Sequence, residues 1–415
     1  MAMKTREAAA SPSLNCADIM SANLADLLDG FDHVETRREF EQRLAEGKPL
    51  TVKLGLDPTS PDLHLGHAVV LHKLQQFVES NHNVVLVIGS FTARIGDPSG
   101  RNELRPPLTT AEITTNMRTY AEQAAKVLDM NRVRLEYNST WLDRLTSADL
   151  LRLLSQVTVA QMIEREDFHA RYSEGTPIAL HEFLYPIAQA YDSIALHADV
   201  ELGGNDQLFN LLMGRQYQRD AGQREQVCMT VPLLEGLDGQ KKMSKSAGNY
   251  VGITEPPEQQ FGKLMRISDE MIPRYARLAA FRSEADCARL SQALQSGKAH
   301  PMAEKKTIAE EIVARYHGAA AAKAAREYFE RTVQQRELPT ENVPEIRVGG
   351  ARRVIDVMVA AGLAESKRAA ERLVAGKGVR VDGILVEDPK APWSATDSAI
   401  LSVGSRKFVK VLPNS

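Results

Sequence analysis

Residues 52–70 read VKLGLDPTSPDLHLGHAVV, and the rest of the chain is organised around them. Thr51-Val52-Lys53-Leu54-Gly55-Leu56 alternates as a strand does, and Asp57-Pro58-Thr59-Ser60-Pro61 is turn chemistry. Beyond it Val70/Leu71, Leu74 and Phe77/Val78 recur at helical spacing, so His64 and His67 fall where that helix begins, with Gly66 between them. Strand, tight turn and helix N-terminus make an anion site, because unpaired N–H groups and the helix dipole both favour negative charge. Imidazoles placed there add donors, and glycine allows close approach. This stretch reads as a nucleotide phosphate site.

Downstream, Asn83–Gly89 (NVVLVIG) is an almost unbroken apolar run, as a parallel strand covered on both faces requires. Strand, helix and strand at this spacing form a βαβ unit. Further strands are expected at Val133–Tyr137 and Gln226–Pro232, and helices at Thr36–Glu46, Ala111–Leu128 and Ala148–Glu166. The fold class is α/β: a Rossmann-like doubly wound domain over residues 31–254, behind an N-terminal extension at 1–30. Residues 255–343 turn helical and charged, and a Pro- and Glu-rich stretch, 337–344, reads as a linker. Residues 351–415 then form a small α+β unit. In it Ser366 is expected to cap a helix, and Asp382-Gly383 to turn a hairpin.

Composition narrows the class. Forty-three per cent apolar and 25% charged residues over 415 positions suit a soluble multidomain enzyme, and no apolar run reaches membrane length. The net charge of -3 hides an uneven distribution. Residues 351–415 carry 11 Lys and Arg against 7 Asp and Glu, whereas the first 350 carry 40 against 47. Three scattered cysteines, Cys16, Cys228 and Cys287, suggest neither a disulfide framework nor a zinc site, so a reducing cytoplasm is expected.

Four further stretches carry chemistry. Gly96-Asp97-Pro98-Ser99-Gly100 follows the second strand, where Asp97 could hold an ammonium group. In EFLYPIAQAYD (182–192) a helix would aim Tyr185, Gln189 and Asp192 from one face. Gly203-Gly204-Asn205-Asp206-Gln207 is a glycine loop whose Asp206 could take a ribose. Gly239–Gly248 contains Lys241, Lys242, Lys245, Ser244 and Ser246, a mobile basic loop.

His64-Leu65-Gly66-His67 together with Lys242-Met243-Ser244-Lys245-Ser246 resembles the paired signatures of class I aminoacyl-tRNA synthetases. The second matches the consensus letter for letter, whereas the first has Leu where Ile is commonest. The set Tyr185, Gln189, Asp192, the Asp97 loop and the Asp206 loop resembles the bacterial-type tyrosyl branch. That resemblance implies ATP and L-tyrosine as substrates, tRNA(Tyr) as partner, and Mg2+ bound mainly through ATP phosphates, with no metal held by the protein itself. It implies a homodimer with no membrane association.

Residue by residue, the resemblance gives Thr59, His64, His67, Lys242 and Lys245 the phosphates of ATP. Gly55, Asp57, Gly66, Gly204, Asp206 and Ser244 complete the ATP site, with Asp206 on the ribose. Asp97, Tyr185 and Gln189 would hold the amino group of tyrosine, Gln207 would lie by its carboxylate, and Asp192 would accept the phenol hydroxyl. One position departs: Lys53 stands where many relatives carry a tyrosine that touches the phenol. Residues 366–383 (SKRAAERLVAGKGVRVDG) resemble an S4 RNA-binding domain, implying Lys367, Arg368, Arg372 and Lys377 as RNA contacts. The tryptophan branch and the nucleotidylyltransferases share part of this pattern. A non-catalytic RNA-binding paralogue would have no need of His64, His67, Lys242 and Lys245.

Overall fold

The computed structural model describes residues 24–58, 62–99, 110–334, 343–348, 353–393, 398–404 and 407–413. Thr59, Gly100, most of the N-terminal extension and most of the expected linker lie outside the described residues. The chain divides into two compact units, one running to Glu255 and including Arg266–Ile308, the other comprising Pro256–Met265 and the chain from Ala309 onward.

The first unit is built on a six-stranded sheet in the order β1-β6-β5-β2-β3-β4. Its strands are β1 (His33–Glu35), β2 (Thr51–Leu56), β3 (Asn83–Ile88), β4 (Val133–Tyr137), β5 (Val200–Gly204) and β6 (Val227–Val231). Five run parallel and β1 pairs antiparallel at the edge. The expected strands are all present. Val84–Ile88 are buried, which explains their unbroken apolar run: helices cover both faces of a parallel sheet. The chain winds outward from β2 to β3 and β4, then returns to add β5 on the other side. The strand order therefore reverses between β2 and β5, and the carboxyl ends of those two strands frame the crevice where such sheets bind ligands.

The helix Leu65–Glu79 starts at the residue expected, with His64 as its N-cap, and buries Leu71, Leu74, Phe77 and Val78 against the sheet. Thr36 caps Arg37–Ala45 by accepting from the Glu39 amide at 3.2 Å. Ala148–Glu166 is not one helix. It is divided into Ser147–Leu154, Val159–Ile163 and a third beginning at Glu166. Thr158 takes extended backbone and accepts from the Gln161 amide, so it opens a new helix where hydrophobic spacing alone reads on.

In the second unit, Pro257–Leu264 packs against Ala319–Phe329, with the Phe261 and Phe329 rings 5.5 Å apart. Its C-terminal part carries a five-stranded sheet ordered β7-β11-β10-β8-β9. These strands are β7 (Glu345–Val348), β8 (Val379–Val381), β9 (Ile384–Leu385), β10 (Ala399–Val403) and β11 (Lys407–Pro413). Ile355, Val357, Met358, Ala370, Val374, Val379 and Leu401 form the core against it. Ser366 caps Lys367–Ala375 through the Ala369 amide at 3.2 Å, as expected. Asp382 and Gly383 both have positive φ, the geometry a two-residue hairpin turn demands.

Candidate active site

The crevice is lined at one end by the two histidines. The His64 amide donates to His67 Nδ1 at 3.3 Å, and the rings stack with centroids 3.9 Å apart. Gly66 permits this, since a Cβ there would come within 3.0 Å of the His64 ring. Burial holds the His64 imidazole down at about 2, with His67, Lys245 and Lys242 adding to the effect. Burial likewise holds His67 near 4, with the same lysines opposing its charge. Both rings are therefore neutral at pH 7. Because His67 Nδ1 accepts, its proton sits on Nε2, which is left to donate to an anion. His64 Nδ1 is buried without a partner.

The basic loop reaches this place through backbone pairing. Met243 donates to Leu234, Gly236 to Lys241, and Leu65 to Val251, stitching the loop to the start of the histidine helix. The Ser244 amide donates to Asn249 Oδ1 at 2.8 Å, and Asn249 is itself held by Asp238. Lys242 Nζ lies 2.6 Å from Asp206, and Lys245 Nζ 2.5 Å from Asp62. Asp206 follows Gly204 at the end of β5, where a Cβ would press within 2.8 Å of the Asp206 carboxylate. His64, Gly66, His67, Lys242, Ser244, Lys245, Gly204 and Asp206 thus gather in one place.

The other end is a buried polar pocket. Asp97 accepts from the Ser99 amide and hydroxyl at 2.9 and 2.7 Å, and from Gln207 Nε2 at 2.9 Å. Arg165 lies 3.3 Å from it. Burial alone would raise the Asp97 carboxyl, but Arg165 and these donors outweigh burial and hold it below its ordinary range. Tyr185 and Asp192 are buried on the Leu184–Leu196 helix, with Gln189 between them on the same face. The Asp57 carboxyl, at the end of β2, accepts from Thr92 Oγ1 at 2.6 Å and faces the Tyr185 phenol. Burial pushes it up to about 7 against the Thr92 hydrogen bond. Only a glycine fits behind it, since a Cβ at Gly89 would lie 1.8 Å from Asp57 Oδ1.

Asp192 accepts from Trp141 Nε1 at 2.7 Å and Asn138 Nδ2 at 3.2 Å. Burial pushes it up to about 6, opposed by Lys53 and by those two donors. Lys53, at the position where many relatives carry a tyrosine, is buried 3.1 Å from Glu201. The motifs did not point to Arg165, Trp141, Asn138 or Glu201. Each reaches the pocket from a distant part of the chain with no local pattern, although Glu201 stands directly before the glycine loop and opposite Lys53 in the β2–β5 register.

On the C-terminal unit, Lys367, Arg368, Arg372 and Lys377 are all exposed. Lys367 is engaged with Asp356 at 2.8 Å, so Arg368, Arg372 and Lys377 are the more available cations for a phosphate backbone.

Comparison with known proteins fits this geometry. Residues 45–334 match the model of "tRNA synthetases class I (W and Y)", and residues 352–397 match the S4 domain. A tyrosine–tRNA ligase of Thermotoga maritima is 48% identical over 393 residues, covering 95% of this chain and 96% of the relative. One of Bordetella pertussis is 50% identical over 397 residues, covering 94% and 96%. Among solved structures, tyrosyl-tRNA synthetase from Archaeoglobus fulgidus superposes with a TM-score of 0.61 at 24% identity, over 74% of this chain and 99% of that one. The enzyme from Aeropyrum pernix gives 0.61 at 20% identity, over 75% and 99%, and these two likenesses speak to the fold. The chain belongs to the class I tRNA synthetases of the tryptophan and tyrosine group, among the tyrosine–tRNA ligases.

Proposed function

We propose that the residues gathered at the β2–β5 crevice carry out both steps of tyrosine–tRNA ligation. In the first, an oxygen of the tyrosine carboxylate bonds to the α-phosphorus of ATP as the bond to pyrophosphate breaks. In the second, a hydroxyl of the terminal ribose of tRNA(Tyr) attacks the tyrosyl carbonyl and AMP leaves. No enzyme nucleophile is needed. The work is positioning and stabilisation of charge on phosphorus and on the leaving group. His67 Nε2 and the helix N-terminus would meet the phosphates. Lys242 and Lys245 would exchange Asp206 and Asp62 for the departing pyrophosphate, a contact that strengthens as charge develops. Thr59 would join them, with Gly55, Asp57, Gly66, Gly204 and Ser244 lining the nucleotide and Asp206 taking the ribose.

Asp97, Tyr185 and Gln189 would hold the tyrosine ammonium, Gln207 would lie beside the carboxylate, and Asp192 would accept the phenol hydroxyl. Among the described residues no three ligating side chains converge on a point suited to a metal ion. Magnesium would arrive on the ATP phosphates, as the resemblance implies, and help to neutralise their charge.

Residues 255–343 would meet the anticodon region, and the S4-like unit, through Arg368, Arg372 and Lys377, the tRNA backbone. Two copies would pair, as the resemblance implies, and the large side chains of Leu151, Val159, Tyr172 and Leu180, exposed by 69, 64, 66 and 83%, are candidates for that contact. The buried free thiols of Cys228 and Cys287 support a cytoplasmic location.

The observation that carries the reading is the meeting of a neutral histidine pair, two loop lysines and a buried polar cluster around Asp192 at the carboxyl ends of β2 and β5. Tyrosine-dependent ATP–pyrophosphate exchange, with phenylalanine and tryptophan run beside it, tests it. Exchange with tyrosine alone is expected, and exchange with tryptophan instead would show that the Asp192 end was misread.

A further inference from the structure

The parallel register sets Lys53 of β2 beside Glu201 of β5. Their charged groups lie 3.1 Å apart with side chains 2 and 1% exposed. A buried ion pair is poor evidence of stabilisation, because desolvation can outweigh the attraction, so its partners matter more than its existence. Both members hold the same residue. Glu201 Oε1 accepts from Gln189 Nε2 at 3.0 Å, and Lys53 Nζ donates to the Gln189 backbone carbonyl at 3.2 Å. The second carboxylate oxygen accepts from Ser193 Oγ at 3.2 Å and from Gln226 Nε2.

A carboxylate paired with an ammonium group only accepts. It therefore draws the nitrogen of the Gln189 amide toward the sheet and turns the oxygen away. That oxygen, Oε1, is buried and has no partner. A buried acceptor left open beside Tyr185 and Asp192 is suited to a donor that arrives with the substrate. An amide free to flip would present NH2 to an ammonium group as readily as oxygen, and the contact would be repulsive.

We propose that Lys53 and Glu201 are a positioning pair that locks the Gln189 amide so that its Oε1 receives the α-ammonium of the amino-acid substrate. This rests on the reading of the pocket as the tyrosine site. It also accounts for a lysine on β2 where a phenol contact was expected from the resemblance: the position serves the ammonium end through Gln189.

The test compares binding of tyrosine with that of 3-(4-hydroxyphenyl)propionate, which keeps the phenol and carboxylate but lacks the ammonium. Full-length wild type and Lys53→Met/Glu201→Gln, which removes both charges together, are titrated with each. A glutamine at 201 can donate as well as accept, so the Gln189 amide is released. Tyrosine affinity should fall by about tenfold or more while the propionate changes by less than about twofold, the size expected of one charge-assisted contact. On a Gln189→Leu background the same double change should add almost nothing, because the pair acts through that amide.

Equal losses for both ligands, an undiminished tyrosine affinity, or full additivity with Gln189→Leu would each overturn the assignment. Should the double variant fail to fold, the isosteric Glu201→Gln alone must show the same selective loss. Wild type that binds neither compound would defeat the tyrosine reading itself. Wild-type binding without a selective loss in the variants would defeat the positioning pair alone.

Discussion

The two ends of the crevice are built in opposite ways. At the end proposed to take tyrosine, Tyr185 and Asp192 are buried, and Asp192 and Asp97 each accept from neighbouring side chains. At the end proposed to take the nucleotide, Lys242 and Lys245 are 38 and 19% exposed and lie on a loop. Their present partners, Asp206 and Asp62, are carboxylates that a polyphosphate can displace. The two constructions suit two different tasks. Selecting a hydroxyl requires fixed acceptors in a dry place, where a wrong ligand leaves them unpaired. Stabilising a leaving group needs cations that tighten only as charge develops.

Removal of a loop lysine should have the largest effect. Lys245→Ala should lower kcat for pyrophosphate exchange by about 10^2–10^3, the cost of losing one donor to a developing charge, while tyrosine binding is unaffected. Tyrosine titration and exchange rates on the same preparation check both halves. A matching loss of tyrosine affinity would mean the two ends are not independent.

The next effect belongs to the other end. Asp192→Asn keeps the shape but replaces a charged acceptor with an amide, which should cut discrimination of tyrosine over phenylalanine by about tenfold to a hundredfold. The ratio of kcat/KM for the two amino acids is the readout. A loss shared equally by both would show that Asp192 only supports the pocket.

The same residue gives a pH signature. Asp192 is pushed up to about 6, so it is ionised above that value and protonated below it. Acidification through pH 6 should therefore weaken tyrosine binding, up to about tenfold per unit well below the pKa, while phenylalanine binding does not follow. His64 and His67 stay neutral until well below this window, so they do not confuse it. Asp57, near 7, lies against Tyr185 and would act alike on both amino acids. The tyrosine-specific limb should vanish in Asp192→Asn.

How much of this was legible in the sequence follows the same division. The loop end was readable because each signature is contiguous: HLGH sits at a helix start that periodicity places, and KMSKS is a single run. Tyr185, Gln189 and Asp192 were readable as one helical face. The groups that tune them were not. Trp141 comes from a four-residue helix, Arg165 from the cap of another, and Lys53 meets Glu201 only through parallel strand register. Contacts of that kind are set by tertiary packing, to which local periodicity is blind. The same limit made one helix of Ala148–Glu166, where Thr158 imposes a fresh N-cap.

The smallest expected effect is the sharpest test of the loop. Asp62 pairs with Lys245 and has no other assigned task. If that pair keeps the lysine parked, ATP must displace the carboxylate before the lysine can reach phosphate, and part of the binding free energy is spent on breaking it. Asp62→Asn would then lower KM for ATP, though only by about twofold to fivefold, because a partly exposed ion pair contributes roughly 1 kcal/mol or less. Salt should shrink the difference, since exposed charges are screened. Measured against ATP in pyrophosphate exchange, a fall in KM supports a loop that exchanges one anion for another. A rise would place Asp62 among the groups that bind ATP, and the lysine would then belong to a preformed cradle as fixed as the tyrosine end.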